Sequence, residues 1–300
     1  MYKEFEPLSV KPRKVIIDTD IGPDCDDAGA IAILCLAAQK YGFEIAAAVN
    51  CTSNPFGDGC TDAIVRFAGT DGVRLGRFMS REFLSEHRSY NEPVAKTYSA
   101  GFRNGNLRVE NSADVYRDVL SGSEDDGVVV ITIGQMNAFA EIVSAEPELC
   151  AKKLHCLVSM AGSRTETMAE YNIVCDAAAA ETVFSKLEAP IILSPFEVGA
   201  SVVTGFSKDD EGRDPVRDSY RYYTKAAMRR NSWDLTAVQF AVEGCGKFYG
   251  LSETYRVKVL ENGCFSMDRS PDGKVRFMEK KTSDRELEKY IDGLLSSVGR

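Results

Sequence analysis

Histidine is nearly missing from this chain: His87 and His155 are the two in 300 residues. A zinc site built on imidazoles is thereby excluded, and a bound metal would have to draw on oxygen ligands. His155 sits in the apolar run KLHCLVSMAG and reads as structural, whereas His87 falls in a polar, loop-like stretch. The nine cysteines include no C-x-x-C pair, which removes zinc-knuckle and thioredoxin-type readings. Cys25, Cys35, Cys51 and Cys156 lie among apolar or small residues, the pattern of reduced, buried thiols in a cytoplasmic protein. No run approaches the ~20 apolar residues of a membrane span, and AGAIAILCLAA stops at QKYG. The opening MYKEFEPLSVKPRK lacks the apolar core of a signal peptide. Positive charge is short as well. Lys and Arg number 36 against 45 Asp and Glu, a net −9, which is the reverse of a nucleic-acid binder.

What is present in excess is carboxylate, and in one place. VIIDTDIGPDCDDAGAIAIL, residues 15 to 34, carries five aspartates within ten positions: Asp18, Asp20, Asp24, Asp26 and Asp27. Charges so close repel unless something compensates them, and the run begins inside an apolar strand, where desolvation disfavours unpaired charge. A hard cation such as Ca²⁺ or Mg²⁺ fits that donor set.

Around this segment the pattern alternates. KVIID, FEIAAAVN, GVRLG, GVVVITIG, LHCLVSMAG and PIILSPFEVG read as strands. DAGAIAILCLAAQKYG, GCTDAIVRFAG, SADVYRDVLSG (with Ser112 as N-cap), MNAFAEIVSA and DAAAAETVFSK read as helices between them. RDSYRYYTKAAMRR and WDLTAVQFAVEGC follow as helices, then a hairpin around SPDGK and a last amphipathic helix, DRELEKYIDGLL. Residues 77 to 111 form a long polar stretch. The expectation is an α/β fold: an open, mostly parallel, Rossmann-like sheet with helices on both faces. It forms a single domain over 1–300 with a C-terminal extension from about 246 to 300. In such sheets ligands bind beyond the carboxyl ends of the strands. There stand the aspartate run, Asn50, Gln135, Met136 and Asn137, the MAGSRTETMAEYN segment and PFEVG.

DTDIGPDCDD admits three readings. An EF-hand loop needs an order of ligands and a closing Glu that are absent. A haloacid-dehalogenase-type phosphatase opens D-x-D-x-[TV], with Asp18 as its key carboxylate, but Gly22 stands at the fifth position. The third reading extends furthest. The segment resembles the D-T-D-P-G-x-D-D-A signature of the inosine/uridine-preferring nucleoside hydrolases. VN ending at Asn50 is similar to that family's G-N pair, and IGQMNAFAEI to a one-residue-shorter G-P-L-T-N-[IL]-A. MAG with AEYNIVCDAAAA resembles M-G-G with A-E-F-N-x-x-x-D-P-x-A-A, and SWDLTAVQFAV resembles the H-D-P-L-A-V segment. These matches run in the family's order from residue 15 to 242.

The resemblance implies Ca²⁺-dependent hydrolysis of the N-glycosidic bond of a nucleoside or related riboside, usually by a homodimer or homotetramer. Carried over by position, it makes Asp20 a metal ligand and the general base on a metal-held water. Asp27, Asp234 and the backbone carbonyl of Met136 complete the ligands. Asp26 takes the ribose 2′-hydroxyl, Asn50 the diol, and Glu170 with Asn172 the 5′-hydroxyl. Glu170 and Asn172, two apart on an extended stretch, would point the same way. Three departures qualify the match. The first motif is two residues longer, so Asp24 competes with Asp26 for its role. Trp233 stands where purine-cleaving members carry the histidine that protonates the base; it either stacks on substrate or packs in the core. Tyr222, Tyr223, Arg229 and Arg230, on the preceding helix, are the substitutes for that proton donor. Arg164 replaces an Asn near the 5′ end, where it either meets an anionic group or lies on the surface. A fold relative that binds Ca²⁺ and a sugar without turnover is the competing reading.

Overall fold

The computed structural model describes residues 5–299. The outermost positions of the expected 1–300 domain, including the first four of the N-terminal stretch, lie outside the described residues. The chain runs β1 (Lys14–Thr19), α1 (Asp26–Tyr41), β2 (Ile45–Asn50), α2 (Pro55–Phe67), β3 (Arg74–Arg77), α3 (Asn91–Tyr98), α4 (Ala100–Arg103) and β4 (Glu110–Asn111). It continues with α5 (Ser112–Ser121), β5 (Val128–Thr132), α6 (Asn137–Ala145), α7 (Pro147–Lys153), β6 (Leu154–Met160), α8 (Tyr171–Cys175), α9 (Ala177–Lys186), β7 (Ile191–Ser194) and α10 (Phe196–Gly199). The last third holds β8 (Val203–Gly205), α11 (Pro215–Tyr223), β9 (Arg229–Asn231), α12 (Trp233–Glu243), β10 (Tyr249–Val259), β11 (Phe265–Arg269), β12 (Val275–Lys280) and α13 (Asp284–Ser297).

Ten strands form one sheet in the order β11-β10-β12-β7-β6-β5-β1-β2-β3-β4. From β12 to β4 every pairing is parallel. The central strands are apolar on both faces because helices cover both. Val15 and Ile17 of β1 enter one core with Ile31, Leu34 and Leu235 from the α1 and α12 side. Ile16 enters the other with Val119, Phe139 and Val183 from α5, α6 and α9. The period-two alternation of a strand thus divides one apolar run between two cores. The chain leaves β1 toward β2 and β3 on one side, and returns to β5 on the other. The crevice between the carboxyl ends of β1 and β5 is therefore the topological switch point.

Several local expectations need correction. The helix expected to reach Arg230 ends at Tyr223, because Lys225, Ala226 and Met228 all adopt positive φ; Arg229 and Arg230 lie on β9, paired with β8. SPDGK does not close a hairpin. It joins β11 to β12, and both of those strands pair with β10 between them. β12 then pairs in parallel with β7, so the C-terminal segment extends the central sheet. The polar stretch 77 to 111 contains α3 and α4. Asn111, not Ser112, caps α5 through its side chain. Pro195, which has no N–H for a ladder bond, stops β7 before PFEVG is complete.

Candidate active site

A cavity of about 700 Å³ opens at the switch point. Asp20, Asp24, Asp26, Asp27, Glu170, Asn172, Trp233 and Asp234 line it, with Ile133, Met160, Met168, Tyr171, Phe196 and Arg230. β1 delivers Asp20 just past its end, and α1 begins at Asp26, so Asp26 and Asp27 stand in its first turn, where carboxylates are favoured. α12 begins at Trp233 and places Asp234 likewise in its first turn. Gly134 keeps the crevice tight: a Cβ there would meet the backbone nitrogen of Asp20 at 2.6 Å.

Asp26, Asp27 and Asp234 are buried, and an oxygen from each lies within 4.8 Å of the others. Asp26 Oδ2 also accepts the Asp234 backbone N–H at 3.1 Å, and Thr19 Oγ1 donates to Asp27 Oδ1. Asp20 adjoins them, close enough to Asp27 for the two carboxyls to influence each other. Burial first, and then repulsion from neighbouring aspartates (Asp24 on Asp26, Asp20 on Asp27, Asp26 on Asp234), raises the carboxyls of Asp26, Asp27 and Asp234 well above the ordinary range. Burial raises Asp20 to about 6, against a hydrogen bond from Gln135 that lowers it. Among the described residues no cationic side chain forms an ion pair with Asp26, Asp27 or Asp234; Arg230 is spent on Asp24, at 2.6 Å. A buried, all-oxygen, like-charged donor set is what a hard divalent cation stabilises, so the residues fit such an ion.

Asp24 therefore stands apart from the carboxylate group. Arg230 grips it through Nε, at 2.8 and 3.0 Å from its two oxygens, and lies 5.1 Å above the Trp233 ring. Trp233 itself is half-buried, with its ring 5.5 Å from that of Phe196. Its Nε1–H donates to the Phe196 carbonyl at 3.0 Å.

Glu170 is the N-cap of α8, so the stretch from Glu170 to Asn172 is a helix start and not extended chain. The Glu170 carboxylate accepts N–H groups from Asn172 at 2.9 Å, Gly162 at 3.0 Å and Ile173 at 3.3 Å. Burial outweighs these bonds and raises it to about 7. Asn172 Nδ2 donates to the carbonyls of Met160 and Ile133.

Three expected site residues do not reach the cavity wall. Asn50 spends its side chain internally: Nδ2 donates to Asn54 O and Asp58 Oδ1, and Oδ1 accepts from Thr52. Arg164 pairs with Glu279 at 2.6 Å on the surface. Met136 is the N-cap of α6, and its carbonyl accepts Ala140 N–H at 2.7 Å. Of the four substitutes for the proton donor, Arg230 alone lines the cavity. Tyr222 is exposed beside Arg213, and Arg229 pairs with Asp292. Asp18, the key carboxylate of the phosphatase reading, is sealed beneath the cavity against Tyr116.

The wall also includes His87, Arg88 and Ser89 from the polar stretch. Asn91 Nδ2 donates to His87 O at 3.0 Å and Ile21 O at 3.1 Å, clamping this loop to the one that carries the two extra residues. Gly22, at φ +151°, permits that approach; a Cβ there would lie 2.5 Å from Asn91 Nδ2. His87 Nδ1 is buried and makes no hydrogen bond. No spacing in the sequence ties His87 to the aspartate run.

A profile of the inosine-uridine preferring nucleoside hydrolases matches residues 15–279. Among solved structures, an inosine-guanosine nucleoside hydrolase superposes with a TM-score of 0.74 at 18% identity, over 95% of this chain and 99% of that one. The inosine-uridine preferring nucleoside hydrolase from Bacillus anthracis gives 0.74 at 17% identity, over 95% and 100%. The type III effector protein XopQ, complexed with adenosine diphosphate ribose, gives 0.70 at 12% identity, over 100% and 95%. At these identities the likeness concerns the fold. A comparison with curated protein sequences found no match.

Proposed function

The chain belongs to the inosine-uridine preferring nucleoside hydrolase family, and from that premise we propose that it cleaves the N-glycosidic bond of a ribonucleoside or related riboside, using Ca²⁺ and Asp20 as general base. The observation that carries this reading is the group formed by Asp26, Asp27 and Asp234, with Asp20 beside it in the switch-point cavity. Asp20, Asp27 and Asp234 would hold the ion with the Met136 carbonyl, which keeps a second lone pair beside its bond from Ala140 N–H, and Asp26 lies within reach of the same position. When bound, Ca²⁺ supplies a positive charge that acidifies a coordinated water and orients it.

The chain's own residues do the rest. Asp20, placed just past the end of β1 on the cavity wall, accepts a proton from the attacking water. The buried carboxylates stabilise the oxocarbenium-like charge that develops on the ribose. Glu170 and Asn172, preset by backbone hydrogen bonds, receive the 5′-hydroxyl. Trp233 offers its ring to the base, and its N–H is spent on Phe196. His87, which reaches the cavity wall from the polar stretch, is the proton donor to the leaving base.

The testing experiment is reducing-sugar release from purine, pyrimidine and nicotinamide ribosides, with and without EDTA, beside Asp20→Asn. EDTA-sensitive release that disappears in the variant supports the reading. No release from protein that still binds Ca²⁺ supports a binder without turnover, the second reading. That one draws on the tryptophan in the histidine's place.

A further inference from the structure

Gln135 follows β5 directly and is fully buried. Its Nε2 donates to Asp20 Oδ2 at 2.9 Å and to Asn172 Oδ1 at 3.2 Å. Its Oε1 faces Cys51 Sγ at 3.6 Å. A primary amide has two N–H bonds on one nitrogen, and both are used here, on two residues that line the cavity. Turning the amide over would set its oxygen against a carboxylate oxygen and a carbonyl oxygen, so the two acceptors define its orientation. The bond to Asp20 is charge-assisted whenever that carboxylate is ionised, and such bonds are the stronger kind. An apolar side chain would fill the same volume without holding either neighbour.

We propose that Gln135 is a positioning residue that fixes the general base Asp20 and the 5′-hydroxyl receptor Asn172 in one register, so that recognition of the ribose 5′ end and activation of water are coupled. The inference rests on the functional reading above. The coupling works through geometry: Gln135 touches neither the reacting carbon nor the base. Partners that orient a metal ligand typically contribute 10- to 100-fold to metal affinity or activity.

The test uses the full chain with Gln135→Met, which keeps length and volume but has no N–H, and Gln135→Asn, which keeps the amide but not its reach. Three quantities are read: Ca²⁺ affinity by calorimetry, kcat and KM on a riboside and on its 5′-deoxy analogue, and thermal stability. In both variants kcat or Ca²⁺ affinity should fall by about 10- to 100-fold, and the wild-type preference for the 5′-hydroxylated substrate should collapse toward parity. Wild-type Ca²⁺ affinity, kcat and 5′ preference in folded variants would overturn the inference. So would a fall in kcat with the 5′ preference intact, or a change confined to thermal stability. The wild-type arm separates the two claims. Wild type that binds no Ca²⁺ and cleaves no riboside sinks the functional reading and this coupling with it. A competent wild type with indifferent variants sinks the coupling alone.

Discussion

Trp233 donates its indole N–H to the carbonyl of Phe196 at 3.0 Å, while its ring stays on the cavity wall beneath Arg230. The residue is thus locked edge-on by one bond and offers substrate a π-face without a proton. If that face carries the base, Trp233→Ala should cost roughly 1–3 kcal/mol of binding, the usual worth of one base–aromatic stack. That is about a 5- to 150-fold rise in KM. Trp233→Phe should recover most of it. Steady-state kinetics on the best riboside decides, and equal KM in all three proteins would return Trp233 to the core.

Asp20→Asn should lower kcat by about 10²- to 10⁴-fold, the range for loss of a general base. Melting behaviour should be preserved, since removing one of several crowded carboxylates relieves repulsion. A variant that retains turnover would move the base elsewhere in the cavity.

His87→Ala should impair nucleosides whose base leaves poorly as an anion, by about 10²-fold or more. It should spare a riboside with a stable leaving anion, such as p-nitrophenyl riboside. Equal losses on both substrates would remove His87 as the leaving-group acid.

The buried carboxyls set a pH signature with a definite sign. Asp20 moves from 3.8 to about 6 and Glu170 from 4.5 to about 7 on folding. Between those values the folded state keeps a proton that the unfolded chain has released, so metal-free stability falls as pH rises from about 4 to about 7. Ca²⁺ acts oppositely, because its ligands must be deprotonated. Its stabilisation, ~2.7 kcal/mol when free ion reaches about 100 times Kd, should grow over the same interval. Thermal melts at several pH values with EDTA or Ca²⁺ read both slopes. A Ca²⁺ increment that does not depend on pH would exclude binding through these carboxylates.

The sheet was legible where strands are apolar runs bounded by glycine, as in β5 and β6, because burial on both faces leaves a signal in composition alone. The helices α3 and α4 were not, since a polar stretch with few apolar positions becomes helical through packing against α2 and its neighbours. β9 was hidden inside a helical pattern. The break comes from three positive-φ residues, none of them glycine, and local propensity does not foretell that. The pairing of β10 between β11 and β12 is a choice of partner, which the pattern of one strand does not encode.

By itself the sequence determined the chemistry available: five aspartates crowded at a strand end and a helix start, a further one at Asp234, and almost no histidine. Those are facts of residue type and short-range order, which the chain carries before it folds. Tertiary structure decided which of these groups meet. It set Asp26 with Asp27 and Asp234, withdrew Asp24 into the grip of Arg230, and turned Asn50 and Arg164 to other partners. It also brought His87 to the cavity from a segment with no local mark of function, and set Gln135 against Asp20. Hydrogen bonds and ion pairs act over a few ångströms, and only folding brings positions such as 20, 87, 135 and 234 within that range.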